Sequence, residues 1–262
     1  MFDEGAVRAL VLSALAGLST MIGALIIVFT KQKDEKKNEK LVTISLGFAA
    51  GVMVSVSLTE LFPIANESLT GFCGNTFGVL LSVVFLVAGM LLAAALDHFV
   101  PHQEYDEKSG EAPHKNLLRV GFVSMLAIGL HNFPEGIATF MAGYENATLG
   151  ISIAVAIAFH NIPEGIAVAM PIYFGSGSRK KAFGYTFLSG IAEPVGALLA
   201  FLILRPFMND AVLGAVFSLV AGIMMYIAVE ELIPSSRQYG HDRMALVATL
   251  TGIAIMPLTA II

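Results

Sequence analysis

Apolar stretches of about 20 residues recur eight times along this 262-residue chain, and that recurrence decides the solvent it can fold in. They cover 6–30, 41–63, 75–97, 117–141, 148–173, 182–204, 211–233 and 243–262. Each is long enough to cross a bilayer core as a helix, which satisfies its own backbone polar groups. Apolar residues form 56% of the chain and charged residues 13%, about half of the roughly 25% usual in soluble domains. A water-soluble fold could not bury that much apolar side chain and still present a polar surface. The expectation is an all-α polytopic membrane protein, a single transmembrane domain over 1–262.

The basic residues then orient it. Lys31, Lys33, Lys36, Lys37 and Lys40 follow the first span, Lys108, Lys115 and Arg119 the third, Arg179, Lys180 and Lys181 the fifth, and Arg237 and Arg243 the seventh. Only Arg8 and Arg205 fall on the other side. By the positive-inside rule the odd-numbered loops are cytoplasmic, with the longest at about 98–116, and both termini face out. Val7 to Phe29 reads as a span rather than a removable leader, since no small-residue cleavage site follows it. The single Cys73 excludes an intrachain disulfide and a cysteine-based zinc site. No phosphate-binding G-x-x-x-x-G-K-[ST] loop is present, so direct ATP hydrolysis is not expected.

Two spans carry the same polar motif. The fourth holds His131-Asn132-Phe133-Pro134-Glu135-Gly136-Ile137-Ala138, and the fifth His160-Asn161-Ile162-Pro163-Glu164-Gly165-Ile166-Ala167. His and Glu at i and i+4 share one helix face, near mid-span in both copies. Pro134 and Pro163 cannot donate to the helix ladder, which frees the carbonyls of Leu130 and Phe159. Adjacent spans run antiparallel, so the duplication implies a pseudo-two-fold axis in the membrane plane, an arrangement that puts transporter sites at the midplane. A carboxylate at a helix centre costs about 2.5–3.5 kcal/mol on insertion scales, and a bound divalent cation offsets that cost. Glu193-Pro194 places a third acid at the centre of the sixth span.

A second echo joins Glu60-Leu61-Phe62-Pro63, ending the second span, to Glu231-Leu232-Ile233-Pro234, ending the seventh. The topology puts Glu60 near the outer mouth and Glu231 near the inner one, where each could draw cations along a pathway. Other readings stay open at this point. The histidines could be structural, bonded to neighbouring helices. The same groups could activate water in an intramembrane metalloenzyme, although H-E-x-x-H is missing, or relay protons in a carrier of organic solutes.

The paired HN-x-PEG motif, with eight spans around it, resembles the ZIP (Zrt-/Irt-like) family of metal transporters, in particular its bacterial members. The resemblance covers essentially the whole chain. It implies transport of divalent transition-metal ions into the cytoplasm, zinc first, with iron, manganese, cobalt or cadmium as further cargo. It implies neither an enzyme nor a resident cofactor, and no nucleic-acid partner. It implies a homodimer in lipid, in a bacterial inner membrane, and an inverted repeat relating spans 1–3 to spans 6–8. Carried over position by position, His131, Glu135, His160 and Glu164 form a first metal site. Asn132, Glu135, Asn161, Glu164 and Glu193 form a second, with both glutamates bridging, and Met53 on the second span approaches the first. Two imidazoles with two carboxylates suit zinc and its neighbours, and an all-oxygen set suits harder ions, so broad specificity is expected. His98, His102 and His114 in the 98–116 segment resemble the family's variable loop, which often binds metal on exit, although a plain solvated loop accounts for them equally well.

Overall fold

The polar breaks seen in the sequence separate eight successive helices. The computed structural model describes residues 3–30, 35–99, 114–204 and 209–261, and among them no strand occurs. Seven helices are long and apolar enough to cross a membrane: α1 (Glu4–Phe29), α2 (Glu39–Cys73), α3 (Asn75–His98), α4 (Leu117–Tyr144), α5 (Gly150–Ser176), α6 (Arg179–Ile203) and α7 (Asp210–Arg237). The eighth expected span is α8 (Asp242–Ile255), 14 residues of α-helix extended by a 3-10 turn over Met256–Ile261. Side-chain caps start three of the helices: Asp3, Ser178 and Asn209 accept from the backbone N–H groups of Ala6, Lys181 and Val212. Most of the expected 98–116 loop, including His102 and Lys108, lies outside the described residues, as do Lys31, Lys33 and Arg205. His98 is exposed at the end of α3, and His114 opens the helix that becomes α4.

α2 and α7 run on past Pro63 and Pro234, where the sequence reading ends them. In both, a π-helical turn comes just before the proline, over Ser57–Leu61 and Ile227–Leu232. Proline has no N–H for the carbonyl four residues back. A slip to i→i+5 bonding absorbs that missing donor, and the proline then sits in the first turn of the resumed α-helix, where none is needed. Glu60 and Glu231 lie inside these two turns.

The inverted repeat is written in the helix contacts. Gly136 of the first motif leaves room for the backbone carbonyl of Glu193 on α6, and Gly165 of the second for that of Thr20 on α1. Conversely, Gly196 on α6 meets the carbonyl of Phe133, and Gly23 on α1 meets that of Ile162, the residues that fill the same place in the two motif copies. The outer helices repeat the rule: Gly51 backs onto Thr249 and Gly222 onto Leu86, while Gly89 backs onto Leu219 and Gly252 onto Phe48. Superposing Glu60 on Glu231 carries Gly51 onto Gly222 and Phe48 onto Leu219. Thus α1–α3 map onto α6–α8, and α4 onto α5.

Packing sorts the helices into two groups. α1, α4, α5 and α6 contact one another most closely, and α2, α3, α7 and α8 form the other bundle. The groups meet where α2 lies on α5 and α7 lies on α4. α3 is the least buried, with Phe77, Leu80, Val84 and Leu91 facing outward, as suits a helix solvated by lipid.

Because a Cβ at Gly51 or Gly222 would meet backbone rather than a movable side chain, Gly51→Ala and Gly222→Ala should each cost about 1–3 kcal/mol. Thermal unfolding in detergent should show both falling well below Gly71→Ala, whose Cβ would enter open space.

Candidate metal centre

The motif residues keep their helix through both prolines: Pro134 lies inside His114–Glu145 and Pro163 inside Ala147–Ser176. The motif glycines admit α6 and α1 closely, α4 and α5 pack on each other, and the two His–Glu faces are shut off from lipid. His131, Asn132, Glu135, His160, Asn161, Glu164 and Glu193 are each at most 2% exposed. His160 Nε2 and Glu135 Oε1 are hydrogen-bonded at 2.8 Å. His131 Nε2 lies 3.2 Å from Glu135 Oε1 and 3.1 Å from Glu164 Oε1, yet hydrogen-bonds to neither. Ligand atoms of His131, His160 and Glu164 all fall within 4.8 Å of one another. Zinc–ligand bonds of about 2.0–2.2 Å put the corners of a tetrahedral shell about 3.4 Å apart. The spacings here are of that order, so one ion fits among these atoms with small shifts.

The asparagines are held from behind. Asn132 Nδ2 donates to the carbonyl of Ser189 on α6 at 3.1 Å. Asn161 Nδ2 donates to the carbonyl of Ala16 on α1 at 2.9 Å and to Glu193 Oε2 at 2.9 Å. With the amide NH2 groups so engaged, both Oδ1 atoms are left without partners, as are Glu135 Oε2, both oxygens of Glu164, and Glu193 Oε1. Buried polar atoms are normally satisfied, and so dense a set of unpaired acceptors in apolar surroundings calls for a cation.

A cavity of about 550 Å³ between the two bundles reaches this cluster from one end. Glu135 and His160 line it, with Glu60, Leu61 and Phe217 on the wall opposite, and Glu67, Asn209 and Asp210 among its lining residues. Glu60 therefore faces the space leading to the site. Glu231 is instead buried at the opposite end, 3.2 Å from Arg119. Met53 is fully buried in the core of α2, outside the cavity lining. The sequence reading missed Glu67 and Asp210. Glu67 was findable, lying two helical turns beyond Glu60 on the same face.

The architecture and the donor set are those of a membrane metal transporter. Comparison with known proteins agrees. The model of the ZIP zinc transporter family matches residues 98–260, and the chain belongs to that family. It is similar over nearly its full length to zinc transporters named ZupT. That of Streptococcus mutans is 46% identical, over 97% of each chain. That of Chlorobium chlorochromatii is 45% identical, also over 97% of each. That of Clostridium perfringens is 42% identical, over 97% of this chain and 95% of its own.

Asn161 ties Glu193 to the motif helices, so Asn161→Ala should weaken zinc binding by about tenfold, the effect usual for groups that orient metal ligands. Isothermal titration of the purified protein with zinc measures it.

Proposed function

We propose that the chain carries zinc and related divalent ions into the cytoplasm of a bacterium through a binuclear site built on α4, α5 and α6. The convergence of unpaired carboxylate, imidazole and amide oxygen donors at the foot of the cavity supports this most directly. One ion takes His131, Glu135, His160 and Glu164. The second takes Asn132, Glu135, Asn161, Glu164 and Glu193, with the two motif glutamates shared. A hydrated ion enters past Glu60 and exchanges its waters for these ligands. The mixed N/O donor set accommodates iron, manganese, cobalt and cadmium beside zinc.

The cavity end is the outer face in this reading. Both termini lie outside, and the homodimer that the resemblance implies sits in the inner membrane. The charge asymmetry supports that orientation, and so does the use of Arg8 at the cavity end. Its guanidinium donates to the carbonyls of Gly143 and Tyr144 at 2.9–3.5 Å, holding the end of α4 where cations are favourable.

The test is uptake of radiolabelled zinc into proteoliposomes at equal protein insertion. His131→Ala and Glu164→Ala should each reduce uptake to background, whereas unchanged uptake in both would make the motif structural. Imidazole binds metal only when neutral. Uptake should therefore fall from about pH 7.5 to about pH 5.5, as protons compete for His131 and His160.

A further inference from the structure

Behind the site, at the end away from the cavity, three charges from three helices meet. Arg119 near the start of α4 reaches Asp97 on α3 at 2.6 Å and Glu231 on α7 at 3.2 Å. The three side chains are only 12%, 8% and 6% exposed. Tyr226 on α7 donates from its hydroxyl to Asp97 Oδ2 at 3.3 Å. Arg119 belongs to the bundle that carries the metal ligands, and both carboxylates belong to the other. The ion pairs thus cross the boundary between the bundles, as the cavity does at the opposite end.

The repeat shows that this cluster exists on one side only. Superposing the motif copies carries Arg119 onto Thr148, and superposing α2 on α7 carries Tyr226 onto Ser55. Superposing Gly89 on Gly252 carries Asp97 onto Ala260. Of the four residues, only Glu231 keeps its chemistry in the other half, as Glu60. A pseudo-symmetric scaffold offers two related states, open at one end or the other. A cross-bundle clamp at one end alone makes those states unequal in energy, and the cavity stands on the side without it.

We infer that Arg119 is a positioning residue for transport: it latches the two bundles together behind the metal site and holds the protein in the state open on the Glu60 side. Opening the opposite end pulls the guanidinium from both carboxylates. That gives up two close, largely buried, charge-assisted contacts in exchange for water, which favours the latched state. Loss of the latch shifts the population toward the other state without altering a metal ligand. Calling the latched end cytoplasmic rests on the orientation proposed above, whereas the latch itself rests on the contacts.

The test is sided thiol labelling of full-length protein in membrane vesicles, in a Cys73→Ser background, with a membrane-impermeant reagent. Ala228→Cys reports the latched end, because Ala228 is fully buried in the stretch of α7 that packs on α4. Ala138→Cys, in the cavity wall, reports the open end. Replacing Arg119 by Gln should speed labelling at position 228 by about tenfold and slow it at position 138, a shift of roughly one decade in the two-state balance. Asp97→Asn should move both probes in the same directions, and it serves if the Arg119 variant inserts poorly. Unchanged rates at both positions in the variant that inserts would overturn the latch. Zinc uptake separates the two claims. Uptake abolished by His131→Ala with labelling unmoved sinks the latch alone. Labelling that moves while His131→Ala transports normally sinks the transport reading and leaves the latch standing.

Discussion

Carboxylates buried among apolar helices without internal neutralisation are the constraint on which the rest of the structure depends. Glu135, Glu164 and Glu193 are closed off from lipid by close packing, and of the three Glu135 meets the cavity. Among the described residues, their cationic partners are two histidines whose charge is optional. Such a cluster is tolerable in a low-dielectric interior when a cation visits it. The close crossings at Gly136 and Gly165 seat α6 against α4 and α1 against α5 beside the cluster. The hydrogen bonds of Asn132 and Asn161 to the backbones of α6 and α1 hold the amide oxygens free. The motif side chains, the hydrogen bonds behind them and the helix crossings form one assembly, and most of its parts occur twice because the fold repeats.

Two devices separate the functions of the bundles. Every proposed ligand lies in the bundle of α1, α4, α5 and α6, so the donor set can move as a unit without changing its geometry. The other bundle, of α2, α3, α7 and α8, carries the two repeated acids, Glu60 facing the cavity and Glu231 held by Arg119. The π-turns before Pro63 and Pro234 place these acids at matching points of the repeat. π-Bulges are often found at functional positions because they turn a side chain out of its regular register.

Much of this was legible in the sequence. Hydropathy located all eight helices, since a bilayer demands long unbroken apolar stretches and the chain has few others. The duplicated motif located the buried cluster of His, Asn and Glu side chains, because identical polar residues at helical spacing stand out in apolar surroundings. The helix ends were less visible: a proline normally marks a boundary, and only the backbone shows that a π-turn carries α2 past Pro63 and α7 past Pro234. The role of Arg119 was hidden for another reason. In the sequence it counts only as one more basic residue fixing orientation. Its partners are Asp97, 22 residues before it on the preceding helix, and Glu231, 112 residues after it, and pairing across bundles leaves no local pattern. The cavity was hidden likewise, since it is formed by helices from opposite halves of the repeat.

The central claim is that the paired motifs hold the transported ion inside one bundle. Diffraction from zinc-soaked crystals, recorded on both sides of the zinc absorption edge, tests it most directly. The account predicts an anomalous peak within bonding distance of His131, Glu135, His160 and Glu164, with a neighbouring peak toward Asn161 and Glu193. Ordered zinc bound elsewhere in the protein, with no peak between α4 and α5, would contradict it.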